Sequence, residues 1–387
     1  MDGACAARTR SAEGWQSVVV LQEAAMETLA YKPNAAETFD RLRELYERRT
    51  QDRIFARMEV PSPALIEFQS HYSEGYCDYP DPAERVRFWD RYLAERAAVD
   101  DDSIPQAYLS EMDQGLYGGA LGGKVQFMAH PDNGWISSMV APLLNDWAEF
   151  DRLHFDRSHP WVDRYQRQVK AFVEGAAGKF AISHFILIDG LNFVFELIGA
   201  TSTYLSLIER PEMVRRAIDF AFQLNLDLQN LFFNLVPQVA GGTASNMVQW
   251  LPGRIVSESV DPFHMTSVEY FETWGREPIE RILGRFDGGV VHIHGNGRHL
   301  LKAVASLRGL KAIFLGDDKG YPQAFDILAS LQPRTGDTPL VVQVDYARFA
   351  QKLAAHELCG GVFYKVHEVP DIATANRLME QVRQYRA

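Results

Sequence analysis

The stretch Val290-Val291-His292-Ile293-His294-Gly295-Asn296 decides how the chain is read. It runs from β-branched residues through two imidazoles into Gly295-Asn296-Gly297, so it reads as a short strand stopped by a tight loop. A strand sends successive side chains to opposite faces, which puts His292 and His294 on one face and Val291 and Ile293 on the other. Both imidazoles then enter one space at the carboxyl end of the strand.

Working outward, similar short runs recur at residues 53–60, 125–129, 181–188, 311–315, 340–344 and 361–366. In the first of these Ile54, Ala56, Met58 and Val60 alternate with Arg53, Arg57 and Glu59 before Pro61. Helical periodicity appears at 35–49, where Phe39, Leu42, Leu45 and Tyr46 form a stripe, and again at 211–233, 268–286, 299–307 and 372–385. Strands alternating with helices imply an α/β fold with a mostly parallel sheet. No G-x-G-x-x-G follows a strand, so a (β/α)8 TIM barrel is expected over a dinucleotide-binding sheet. Residues 1–50 are expected to form an N-terminal helical extension and residues 51–387 the barrel. The glycine-rich stretch 115–123 lacks the Lys-Ser/Thr pair of a phosphate cradle and reads as a mobile loop.

Hydrophobic residues make up 47% of the chain and charged residues 23%, which suits a globular body with a large core. With 39 Lys+Arg against 51 Asp+Glu the formal charge is −12, a field that repels polyanions, so nucleic acid is not an expected partner. Cys5, Cys77 and Cys359 are widely spaced and form no C-x-x-C, which fits a reducing cytoplasm. No apolar run approaches the roughly 18 residues of a membrane span. The run Val18-Val19-Val20-Leu21, followed by Glu23, is too short for a signal peptide.

Two imidazoles on one strand face suit a divalent metal, with a third ligand supplied by another strand end. His367, at the end of the last expected strand, is the candidate third ligand, and Glu368 beside it a candidate orienter or alternative ligand. The plainer reading is that these histidines hydrogen-bond substrate or one another. Acid candidates are the run Asp100-Asp101-Asp102, Asp189, Asp261 and the pair Asp317-Asp318. Asp runs commonly cap helices or sit solvated in loops, so Asp189, at a strand-to-loop junction, and Asp261 are preferred as proton carriers with His367. Asn192, Asn296, Asp317, Trp250 and Tyr321 are the candidate substrate contacts, although core packing explains most of the aromatic residues. Cys359 lies at the wrong end of its strand for chemistry and reads as a structural thiol.

Several of these segments resemble the superfamily of uroporphyrinogen decarboxylase and corrinoid-linked methyltransferases. They are His292-Ile293-His294-Gly295-Asn296 followed by Leu300-Leu301, the 257–271 segment with Asp261, Glu209-Arg210-Pro211-Glu212-Met213-Val214, and Gly360-Gly361-Val362-Phe363-Tyr364 with His367 behind it. The resemblance implies a barrel with its site inside the rim. In the zinc methyltransferase branch a His-x-Cys and a late Cys hold the metal, and the matching positions here are His292, His294 and His367. Two thiolates have become imidazoles, which would favour water or an oxygen substrate over soft sulfur. The arginine-rich segment with which the decarboxylases grip a porphyrinogen has no match around Arg53 and Arg57.

Three functions follow from the resemblance. The leading expectation is a metal-assisted methyltransferase or demethylase acting on a small molecule, with zinc as the metal and a corrinoid as methyl donor or acceptor, carried by a corrinoid protein. The second is a cofactor-independent decarboxylase in which His367 and an Asp exchange protons with substrate carbon. The third is a non-catalytic tetrapyrrole- or corrinoid-binding protein. A homodimer is compatible with each.

Overall fold

The computed structural model describes residues 29–387. Cys5, the segment read as lacking a signal peptide, and the first part of the 1–50 extension lie outside the described residues. The strands are, in chain order, β1 (Ile54–Met58), β2 (Gly75–Cys77), β3 (Gln106–Tyr108), β4 (Val125–His130), β5 (Trp135–Val140), β6 (Ala181–His184) and β7 (Gly242–Ser245). They continue with β8 (Gln249–Pro252), β9 (Val256–Ser259), β10 (Gly289–Ile293), β11 (Leu310–Leu315), β12 (Leu340–Asp345) and β13 (Val362–His367).

The central element is a six-stranded sheet in the order β1-β13-β12-β11-β10-β9, every pair of which is parallel. Its interstrand connections carry helices, among them Val268–Trp274, Leu301–Ala305 and Tyr346–Ala355, as parallel crossovers require. A second sheet runs β3-β6-β7-β8, parallel except for the β7/β8 hairpin. The expected barrel is therefore corrected: the hydrogen-bonded ladder is not closed, and the two sheets meet at two seams.

At the first seam side chains replace a ladder. The Ala56 amide donates to Asp102 Oδ2 at 3.0 Å, the Met58 amide donates to Asp101 Oδ2 at 2.8 Å, and the Asp102 amide donates to the Ala56 carbonyl at 2.9 Å. These carboxylates stand where a neighbouring strand's carbonyls would stand, and they satisfy buried donors that would otherwise cost about 1–3 kcal/mol each. Their charge is balanced by Lys32 and Arg96 on Asp101 and by Arg41 on Asp102. At the second seam the Leu187 amide donates to the Ser257 carbonyl at 2.8 Å, and the Ser257 hydroxyl meets His184 Nε2 at 2.7 Å.

Apolar residues on one face of the strands, Phe55, Val290, Ala312, Val341 and Phe363, pack in one cluster with Phe39, Leu42, Leu45 and Tyr46 of the helix Ala35–Tyr46 and with Trp250. That helix, expected from its stripe, packs against the inward face of the strands through this cluster. The opposite strand face, with Ile54, Ala56, Met58, Val291 and Ile293, packs against the outer helices. Ser62, Asp81 and Asp371 accept amide hydrogen bonds at the starts of Pro63–His71, Pro82–Glu95 and Ile372–Gln384, caps worth about 1 kcal/mol each.

Three expectations are corrected locally. The run 125–129 is a strand, but it belongs to a separate antiparallel sheet, β2-β4-β5, and not to the parallel one. The glycine-rich stretch contains the buried helix Gly115–Ala120 where a mobile loop was expected. The long helix expected at 268–286 is two helices, Val268–Trp274 and Arg276–Leu283, broken at Gly275. Among the described residues no single helix is long and apolar enough to cross a membrane.

Candidate metal centre

Strand period carries the inward face from Val290 to His292 and then to His294, just past the end of β10. The His292 and His294 rings lie 4.3 Å apart between centroids, and the His292 ring stacks on Phe314 of β11 at 5.2 Å. Gly316, after β11, lies under His292: a methyl group there would come within 2.5 Å of His292 Nε2, so only glycine leaves the ring its place.

The third member of the cluster is Asp261, from the 3-10 turn Asp261–Phe263 that follows β9. Asp261, His292 and His294 each offer a ligand atom, and these atoms lie within 4.8 Å of one another. Asp261 Oδ1 is 3.8 Å from His294 Nε2 and 3.7 Å from His264 Nδ1, and this buried oxygen has no hydrogen-bond partner. On its far side His294 donates from Nδ1 to Asp318 Oδ1 at 2.8 Å. A carboxylate can only accept, so Nδ1 carries a proton, and Nε2 is the nitrogen that faces Asp261. Burial, reinforced by the His294 ring, holds the His292 imidazole well below its ordinary pKa, which keeps it neutral at pH 7. Burial does the same for His264, against the pull of Asp261.

His367 ends β13 on the same rim, but it belongs to a different constellation and is not a member of the Asp261–His292–His294 group. Its Nδ1 donates to Glu59 Oε2 at 2.5 Å, and Glu59 also faces Arg57 at 3.6 Å. Burial alone would raise the Glu59 pKa, but Arg57 and the His367 hydrogen bond hold it well below the usual carboxylate range. Glu368 follows with its side chain exposed.

The other expected site residues are spread more widely. Asp189 is 2% exposed at the start of the helix Gly190–Ile198, and neither carboxyl oxygen has a partner. It couples to Glu258, which sits beside Val291 in the ladder and so points to the helix side, away from His292. Burial raises both acids, and the charge of Asp189 raises Glu258 further. Asn192 donates to the Ser259 carbonyl at 2.9 Å. Asp317 accepts from Arg298 and from the Ala324 amide, so it organises the loop after β11. Asn296 follows the His294-Gly295 turn, where its amide points at Asp318 and its buried Oδ1 has no partner. Tyr321 is half exposed above Gly295. Trp250 lies fully buried in the core with its indole donating to the Val239 carbonyl, which is the packing reading. Cys359 precedes β13, and its carbonyl accepts from Tyr364.

Sequence reasoning did not single out His264, Asp318 as the partner of His294, or Lys365. Lys365 had a visible signal, a lone cation inside the apolar strand Val362–His367. Burial lowers its pKa to about 8, and Arg57 contributes in the same direction.

With this geometry in hand the chain was compared with known proteins. No family model matches it, and no curated protein does. Its backbone is similar to that of a methyltransferase from Methanosarcina mazei, with a TM-score of 0.56 and 13% identity, covering 90% of this chain and 98% of that one. The likeness is one of fold.

Proposed function

We propose that the chain is an enzyme that binds one divalent metal ion through Asp261, His292 and His294 and acts on a small molecule at the carboxyl ends of a sheet arranged as an interrupted (β/α)8 barrel, in a reaction of the methyl-transfer type. The observation that carries this reading is Asp261 Oδ1, a buried carboxylate oxygen without a hydrogen-bond partner, facing the free nitrogen of His294. An unpaired buried carboxylate oxygen is costly, and a cation between it and two neutral imidazoles removes that cost.

Two imidazoles and a carboxylate suit zinc or another borderline divalent ion, with open positions left for substrate. Bound there, the ion would act as a Lewis acid toward an oxygen or thiol of the substrate. The protein's own part is orientation. Asp318 fixes the tautomer of His294, Gly316 and Phe314 fix the plane of His292, and Tyr321 and Asn296 flank the rim. The fold likeness to a methyltransferase supports the reaction class, and a methylated corrinoid is the donor to be tested.

Metal analysis of protein supplied with zinc and then desalted tests the reading. About one ion per chain is expected, lost in His294→Ala and in Asp261→Ala and retained in His367→Ala. Absence of metal in the unaltered protein, or its retention in both of the first two variants, overturns the metal centre. Methyl transfer that persists unchanged in fully chelated protein overturns metal assistance.

A further inference from the structure

The ladder register places Arg57 of β1, Lys365 of β13 and Gln343 of β12 side by side. They lie on the inward strand face, two residues beyond Phe55, Phe363 and Val341 of the apolar cluster. Lys365 is 7% exposed. Its ammonium has three donors, and the contacts it makes are one hydrogen bond to the Asn246 carbonyl at 2.8 Å and an approach to the Phe314 ring at 4.8 Å. Arg57 has a buried Nε without a hydrogen-bond partner.

The charges around these two cations do not balance. Glu59 is the carboxylate nearest Arg57, at 3.6 Å, and it is shared with His367. Asp101, the next acid that Arg57 feels, is already held by Lys32 and Arg96. Lys32, Arg96, Arg57 and Lys365 thus outnumber Asp101 and Glu59, and a buried charge without a counterion costs several kcal/mol. A protein tolerates that cost where a ligand supplies the missing charge. Phe314 ties this spot to the candidate metal centre, because its ring touches Lys365 on one side and stacks on His292 at 5.2 Å on the other.

We propose that Lys365 and Arg57 form a subsite for a single carboxylate, so that the substrate is a small monocarboxylate whose acid group is gripped there while its other end reaches His292 and His294. Arg57 and Lys365 exceed Glu59 by one charge, which a single carboxylate balances. The short bridge through Phe314 calls for a molecule only a few bonds long. Gln343, in the next register position, has an amide able to donate to the second carboxylate oxygen. The proposal rests on the enzyme reading above, but the subsite itself needs no metal, so the two can fail separately.

Butyrate and its neutral isostere butyramide are the probes, added at matched ionic strength to the full chain, once with zinc and once chelated, with melting temperature and equilibrium affinity as readouts. Butyrate should stabilise the protein in both forms and butyramide should not. Lys365→Met and Arg57→Gln should each weaken butyrate by about tenfold or more, the loss of a charge-assisted hydrogen bond. Ligand-free Lys365→Met should melt no lower than the unaltered protein, because it removes an uncompensated charge. The subsite is overturned by an equal response to acid and amide, by no response to butyrate, or by butyrate binding that survives both Lys365→Met and Arg57→Gln. If zinc binding fails while the butyrate results hold, the metal centre is wrong and the subsite stands.

Discussion

Single atoms at the candidate centre lead to direct tests. The hydrogen bond from His294 to Asp318 sets which nitrogen is free, so Asp318→Ala should weaken zinc roughly 10–100-fold while the fold persists, as read by competition with a chelating dye. Away from the centre, His184 is buried between Ala244 and Ser257, and burial lowers its pKa from 6.5 to about 4. Below pH 6.5 the unfolded chain takes up a proton that the folded chain refuses, so this residue's contribution to stability falls as the pH drops from 6.5 toward 4. Between pH 6.5 and 5 the unaltered protein should lose about 2 kcal/mol more than His184→Gln in urea titrations. A parallel loss in the two proteins would show that His184 is not the group responsible. Glu196 has the opposite sign. Burial raises its pKa from 4.5 to about 8, so the folded chain keeps a proton that the unfolded chain releases, and stability drains away as pH climbs through that window. Glu196→Gln should remove that slope and gain stability relative to the unaltered protein by a few kcal/mol between pH 5 and 8. At this scale the sequence showed the two imidazoles, because strand alternation is strictly local. It singled out Asp261 as an acid, but not as the carboxylate beside these imidazoles. Asp261 arrives through a 3-10 turn after the four-residue strand β9, and His367 is drawn to Glu59 across the β1/β13 ladder, both consequences of pairing between distant segments.

Among the elements, the strands legible in advance were those with clean β-branched runs, and β10 to β13 fall within a residue or two of where alternation puts them. The strands β3, β7, β8 and β9 are three or four residues long, too short for a period to announce them. Residues 125–129 carried a real strand signal, but alternation fixes neither the partner strand nor its direction. The acidic run 100–102 was weighed as chemistry or capping and is neither, because Asp101 and Asp102 do the work of a missing strand at the first seam. Asp102→Ala should therefore destabilise the protein by about 3–5 kcal/mol, as it strips the Ala56 amide of its acceptor and leaves Arg41 unpaired. Asp102→Asn, which keeps an acceptor oxygen, should cost less. Equal and small losses in denaturant midpoints would mean that the seam carries no weight.

For the molecule as a whole, the −12 formal charge and the absence of a basic stripe predict that the protein passes a heparin or DNA column at physiological salt without retention. Salt-sensitive retention would overturn that assignment. The parallel α/β architecture was legible because it follows from alternating elements. The division of the strands into separate sheets was not, since it depends on two seams where side chains and single backbone bonds replace ladders. The pairing of β1 with β13 has a consequence for how the chain comes into being. Strand β1 finds its ladder partner in residues Val362–His367, which are made long after it. Until then the edge with the Arg53 carbonyl and the Glu59 amide, which β13 will cover, is open, while Asp101 and Asp102 hold the amides of Ala56 and Met58 on the other edge. The two aspartates thus close one edge of the strand early, leaving other nascent chains only the edge that β13 later covers.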